Sequence, residues 1–342
     1  MKDNIILLDT SLRDGSHLNG GRFGKNMIID TVDGLCRAGI DYVELGFLTT
    51  NHYDKEISLF GSIEDARKVL PQDTKNTRFA LMAYRFDVDN IEDYDGGMID
   101  LIRTTFHVYD FEEGISNCKK TIKKGYKCSV NLINFYGAYT EEQKINNFKR
   151  INDIHPFAIS MADTYGLLDV PEIEYVYELA DKYLDKDIIL GIHLHENKGI
   201  SYALAQRFLQ IKDKNRIALI DGTLYGIGEV PGNLRIEQIC EFMNKYHGTN
   251  YNMDEIYKLI DQYFIKLKKI KNWDYELPYA ISSKYGINRK YAQFLIEKGD
   301  VGIYDINRIL ANVHGPDKPS YNKALITELY NKFKLEKGYL SL

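Results

Sequence analysis

Short apolar runs alternate with amphipathic stretches from the amino terminus to about residue 245. Ile5–Leu8, Tyr42–Leu45, Arg78–Ala83, Leu101–Phe106, Lys127–Ile133, Phe157–Met161, Ile188–His193 and Ile217–Ile220 have the length and apolar content of buried parallel strands. Between them Lys25–Ala38, Glu113–Lys124, Glu141–Ile151, Val170–Tyr183, Ile200–Ile211 and Leu234–Tyr246 space their apolar residues as helices do. Thr140 before Glu141-Glu142-Gln143 makes a capping box, and Gly39 and Gly125 stand where helices should stop. Strand–helix units in succession predict a (β/α)8 TIM barrel, with a doubly wound open sheet as the alternative. The third unit departs from the pattern, because Asn90–Gly97 is acidic and turn-rich.

From about residue 252 no strand pattern remains. Asp254–Ile270 reads as one helix and Trp273–Pro278 as an aromatic connector. Lys284–Lys298, Tyr304–Asn312 and Lys323–Lys334 read as short helices. The chain therefore divides into a barrel over 1–250 and a helical C-terminal domain over 251–342, the latter a lid, an oligomer contact or a docking element.

Polar residues gather where strands run into the following loops, which in a barrel all meet on one face. The first strand runs into Asp9-Thr10-Ser11-Leu12-Arg13-Asp14-Gly15-Ser16-His17. The seventh ends in Gly191-Ile192-His193-Leu194-His195, and residues i and i+2 of a strand share a face, so the two imidazoles project together. Asp14, His193 and His195 thus make a candidate site for a divalent metal with open positions, able to polarise a substrate carbonyl. Glu44, an acid inside the second strand, must be paired or functional, since unpaired burial is costly. Glu44 and Thr164, the latter after the sixth strand, are candidates for binding substrate. After the eighth strand, Gly226-Ile227-Gly228-Glu229-Val230-Pro231-Gly232-Asn233 either cradles a phosphate or brings backbone close to the metal and presents Asn233 to substrate. It lacks the Lys-Ser/Thr ending of a P-loop.

Composition adds few constraints. The 342 residues are 44% hydrophobic and 27% charged, as in soluble globular proteins, and a net charge of −5 gives no reason to expect a nucleic-acid surface. Cys36, Cys118, Cys128 and Cys240 are scattered without a C-x-x-C pair, which favours a reducing compartment and argues against a cysteine zinc site. No apolar stretch approaches the roughly 20 residues that cross a bilayer. Lys2 and Asp3 precede only a short apolar run, so no signal peptide is expected and the protein is expected in the cytoplasm.

Asp9–Gly15, Gly191–His195 and Gly226-x-Gly-x-x-x-Gly232-Asn233, with Asp163-Thr164-x-Gly166-x-x-x-x-Pro171, together resemble the signatures of the DRE-TIM metallolyase (HMGL-like) superfamily over roughly residues 1–245. Arg13-Asp14-Gly15-Ser16-His17 is most similar to its 4-hydroxy-2-oxovalerate aldolase branch, which also carries a helical C-terminal domain. The resemblance implies that Asp14, His193 and His195 ligate Mn2+ or Mg2+, with Zn2+ as a third choice, and that Asn233 sits at or beside the metal. It implies that Arg13 bonds the oxygen that becomes an enolate and that His17 is the acid or base at the substrate hydroxyl.

Elementary chemistry agrees. Retro-aldol cleavage leaves an enolate that a cation and a guanidinium stabilise, and an imidazole takes a hydroxyl proton near neutral pH. The leading expectation is a metal-dependent carbon–carbon lyase acting on a 4-hydroxy-2-oxo acid. A Claisen-type acyl-CoA synthase and a non-catalytic barrel are the alternatives. Glu196-Asn197 and the Glu229-Val230-Pro231 segment depart from the aldolase pattern and leave the acceptor aldehyde open. The expected partner is a small 2-oxo acid, not nucleic acid or membrane. Homo-oligomerisation stays open, and a dehydrogenase partner does not follow.

Overall fold

Eight parallel strands close on themselves in the computed structural model, which describes residues 4–50 and 53–337. The strands are β1 (Ile5–Asp9), β2 (Tyr42–Leu48), β3 (Leu59–Phe60), β4 (Arg78–Tyr84), β5 (Ile99–Phe106), β6 (Lys127–Leu132), β7 (Ala158–Asp163), β8 (Ile189–Leu194) and β9 (Ala218–Gly222). β1 pairs with β9, Ile5 opposite Ala218, and with β2, Leu8 opposite Tyr42, so the barrel has no free edge. The open-sheet alternative is thereby excluded. The two-residue β3, which the apolar pattern is too short to reveal, lies outside the ring against Phe47 and Leu48. Lys2 and Asp3, on which the expectation about a signal peptide rests, fall outside the described residues.

The barrel interior is layered by the two-residue period of its strands. Leu8, Tyr42, Ala80, Leu101, Ala158, Ile189 and Leu219 plug one end with apolar side chains. Two residues further along their strands come Glu44, Arg103, Ser160 and Asp221, all buried. Two further again, β8 presents His193. A hydrophobic floor thus carries a charged layer, and the charged layer carries the site.

Helices cover the outer faces, largely as expected. Lys25–Ala38, Glu141–Asn152 and Val170–Tyr183 form, and Thr140 and Gln143 exchange the reciprocal capping bonds. The crossover between β4 and β5 has only the short turn Val88–Asn90 and no α-helix, in keeping with its acidic, turn-rich sequence.

Beyond the barrel the pattern needs two corrections. The expected helix Lys284–Lys298 is broken: Leu277–Lys284 ends at a left-handed Gly286, and a new helix runs Lys290–Lys298. Pro278 lies in the first turn of the former and not in a connector, because a helix start tolerates the missing N–H. Asp254–Ile270 is helical with a wider π-type turn at Ile260–Phe264. Ile256, Leu259 and Phe264 pack into the barrel's own core, whereas Tyr279, Tyr291, Leu295 and Ile309 build a separate one. Among the described residues no helix is long and apolar enough to cross a membrane. The four cysteines are free and buried.

Asp9, at the end of β1, is fully buried and accepts bonds from the Ser11 N–H at 2.9 Å and the Ser11 hydroxyl at 2.7 Å. Burial nevertheless pushes its carboxyl up to about 7, against the pull of the Ser11 bonds. The unfolded chain releases this proton near 3.8, so between that pH and about 7 the folded state binds more protons and stability falls as pH rises. Asp9→Asn keeps an oxygen for the Ser11 N–H and removes the titration. Thermal unfolding from pH 4 to 8 is therefore expected to lose a downward trend worth up to about 4 kcal/mol. An unchanged trend in the variant would assign it to other groups.

Candidate metal centre and active site

β1 ends at Asp9, and the chain turns at once through a helical turn, Ser11–Asp14, that delivers Arg13 and Asp14 to the barrel mouth. Gly15 lets it do so: a Cβ there would lie 2.6 Å from the Ser11 carbonyl and 2.8 Å from Ile227 Cδ1. The following turn, Ser16–Asn19, carries His17. Across the barrel β8 supplies His193, and His195 follows one residue beyond its end. Asp14, His193 and His195 each offer one ligand atom, and the three atoms lie within 4.8 Å of one another.

Both imidazoles are fixed from behind. His193 Nδ1 is 3.0 Å from Asp221 Oδ2, and His195 Nδ1 is 3.0 Å from the Asp163 carbonyl oxygen. Each Nδ1–H is thus engaged as a donor and each Nε2 faces the cluster, where it would ligate a metal once free of its proton. Burial first, and the charge of His193 second, push His195 down to about 4, so it is neutral at neutral pH. Burial alone would raise Asp14, but the Arg13 guanidinium and His193 outweigh it and hold the carboxyl well below its ordinary range. Asn233 Oδ1 is buried without a partner while its Nδ2 donates to the Ile227 carbonyl at 3.0 Å. A carboxylate, two imidazoles and an orphaned amide oxygen suit a divalent cation.

The charges around the cluster form a closed ring. Asp14 Oδ2 meets Arg13 Nη1 at 3.0 Å, Arg13 Nε donates to Glu44 Oε2 at 2.7 Å, and Glu44 Oε2 accepts from Arg103 Nη1 at 3.1 Å. Arg103 then bonds Asp221, Asp221 holds His193, and His193 Nε2 returns to Asp14 Oδ2 at 3.0 Å. Signs alternate around the ring, so the buried charges compensate one another and fix each other's geometry.

Arg13, Asp14, His17, Thr164, His193 and His195 line one cavity of about 290 Å³. Glu44, expected to bind substrate, does not: it is 0% exposed beneath Arg13, which it orients. Thr164 lines the wall but its hydroxyl already accepts the Asn134 N–H at 2.7 Å. Asn233 is buried beside His195, bridged to it through the backbone. The glycine loop serves this close approach: a Cβ on Gly228 would fall 1.9 Å from Asn233 Nδ2 and 3.4 Å from Asp14 Cγ. His17 is 43% exposed, 4.0 Å from Asp14 Oδ1 and edge-on to Phe47.

Sequence reasoning missed Arg103, Asp221 as a partner of His193, and the pair Glu229–Arg289. Arg103, like Glu44, is a charge inside an apolar strand and needs a partner for the same reason. For Arg289 no local signal exists, because its partner is 60 residues away. Burial would raise Glu229, but Arg289 foremost, then His17 and His195, hold it below its ordinary value.

A closed parallel barrel with a carboxylate and two imidazoles at the strand ends defines a class of metal-dependent enzymes that includes lyases and synthases. The chain belongs to the HMGL-like family, whose model matches residues 4–262. It is similar to an oxaloacetate decarboxylase of Mycobacterium tuberculosis, 24% identical over 269 residues, covering 74% of each chain. It is similar to a 2-isopropylmalate synthase of Yersinia pestis, 25% identical over 289 residues, covering 75% of this chain and 52% of the synthase. The chain thus spans about half the length of the synthases it matches. The solved N-terminal domain of a candidate aldolase from Bacteroides vulgatus superposes with a TM-score of 0.72 at 21% identity, over 89% of this chain and 99% of that one, a likeness of fold.

Proposed function

We propose that this chain is a divalent-metal-dependent carbon–carbon lyase that cleaves or forms a 4-hydroxy-2-oxo acid through a pyruvate-type enolate. The observation that carries this reading is the placement of Arg13 and His17 on either side of Asp14, so that a guanidinium and an imidazole flank one metal-ligand cluster in one cavity. Asp14, His193 and His195 would hold Mn2+ or Mg2+, with Zn2+ as a third choice. Such a cation, when bound, acts as a Lewis acid toward the 2-oxo group. Arg13 is held by Glu44 through Nε and by Asp14 through Nη1, which leaves Nη2 for the oxygen that gains charge as the bond breaks. His17 accepts the 4-hydroxyl proton as the carbon–carbon bond opens and the aldehyde forms, and returns it in the reverse direction.

A cavity of about 290 Å³ matches a substrate of a few carbons, and the reacting end of an acyl-CoA would have to enter it alone. Decarboxylation of oxaloacetate, the reaction named for one relative, would leave His17 without a hydroxyl to serve. The test is metal-dependent pyruvate release from a panel of 4-hydroxy-2-oxo acids, with oxaloacetate decarboxylation and acyl-CoA condensation assayed in parallel. Activity confined to oxaloacetate or to acyl-CoA condensation would overturn the lyase reading.

Arg13 has a test of its own. Pyruvate alone forms the enolate, and exchange of its methyl protons with deuterated water reports that step without any hydroxyl. Arg13→Lys keeps the charge and loses the planar fork. Exchange is expected to slow by the equivalent of about 2–4 kcal/mol, the share of one oxyanion donor, with metal still bound. Unimpaired exchange would reduce Arg13 to a positioning residue.

A further inference from the structure

Part of the cavity wall comes from the helical region and not from the barrel: Asn288, Arg289, Lys290 and Pro319. The break at Gly286 makes this possible, because it starts a new helix at Lys290 and sets Arg289 at its cap. Contacts to the barrel loops hold the wall in place. The Tyr165 hydroxyl donates to the Pro319 carbonyl at 2.6 Å, the Ser283 hydroxyl donates to the Gly166 carbonyl, and Arg289 pairs with Glu229.

The charges of this wall do not cancel. Glu229 neutralises Arg289, whose Nη1 also donates to Gln293 at 2.9 Å, yet Arg289 Nε is buried with no partner. Lys290 is exposed at the cavity, and no ion pair or hydrogen bond of its ammonium exists among the described residues. The wall therefore adds one uncompensated cation, Lys290, to a cavity whose enolate chemistry already has Arg13. Nothing in the cleavage itself needs it.

We propose that Lys290, beside the Arg289–Glu229 pair, binds an anionic group on the acceptor half of the substrate. The acceptor is then an aldehyde bearing a carboxylate or a phosphate monoester, and Lys290 is a specificity-determining residue. The inference rests on the lyase reading and names its substrate class. Pyruvate and a short acceptor fill a cavity of this size, which brings the acceptor's far end to the wall.

The test runs the reaction in the aldol direction on the metal-loaded full chain. Pyruvate is offered with propanal, succinic semialdehyde or glyceraldehyde 3-phosphate, to wild type, Lys290→Ala and Lys290→Glu. One charged aldehyde is expected to exceed propanal in kcat/KM by about tenfold or more, and which of the two does so separates carboxylate from phosphate. Lys290→Ala is expected to lower kcat/KM for that aldehyde by about 10–100-fold, chiefly through KM, and for propanal by less than about threefold. Lys290→Glu is expected to reverse the preference toward propanal. Equal use of the neutral and charged aldehydes by wild type, with exchange of pyruvate's methyl protons intact, would overturn the inference and leave the lyase reading standing. Absence of that exchange in wild type would overturn both.

Discussion

Replacing Asp14 by alanine is expected to strip the metal from the protein and to abolish turnover while the barrel stays folded. Asp14 is the only carboxylate in the three-residue cluster, and it is buried against His193 at 3.0 Å. Without it the site holds two imidazoles and no anionic ligand beside the permanent charge of Arg13, which repels a cation. Loss of the Lewis acid removes several kcal/mol of transition-state stabilisation, or about 10³-fold and more in rate. His195→Ala is expected to behave alike, because its Nε2 is aimed inward by the bond from Nδ1 to Asp163. Elemental analysis of the purified variants, with circular dichroism to confirm folding, is the check. Full metal occupancy in both would remove these residues from the coordination sphere.

His17→Ala is expected to give the complementary result: metal retained, pyruvate exchange reduced little, and aldol cleavage slowed by about 10²–10⁴, the usual share of a general base. The residue stands 4.0 Å from Asp14 and is 43% exposed, so it flanks the cluster without belonging to it. Its ring rests on Phe47, and removing it leaves the buried charge ring untouched. A KM for metal and a melting temperature equal to wild type would accompany the loss of cleavage. Cleavage at the wild-type rate would make His17 an ordinary loop histidine.

The two variants together separate what the charge ring does from what stands on top of it. Arg13, Glu44, Arg103, Asp221, His193 and Asp14 form one closed circuit of buried contacts, so changing any member disturbs the others. His17 lies outside that circuit.

What the sequence determined by itself is the barrel and the identity of the metal-ligand candidates. Period-two and period-3.6 patterns are local, and every strand of the ring announced itself in four to eight residues, whereas the two-residue β3 outside it did not. The paired direction of His193 and His195 is likewise a property of one strand. Glu44 was legible as a charge that needed a partner, but not as the residue that aims Arg13, because Arg13 is 31 positions away. Arg103 and Asp221 meet across the barrel over 118 positions, and only closure of the sheet brings β5 and β9 into reach. The helical region shows the limit most plainly. Apolar spacing ran Lys284–Lys298 together as one helix, whereas a left-handed Gly286 breaks it and swings Arg289 and Lys290 into the cavity wall. Spacing along a chain fixes which face a residue takes within its own element. Which distant charge it meets is decided by how the elements pack, as where Arg289 meets Glu229 across 60 positions at the cavity wall.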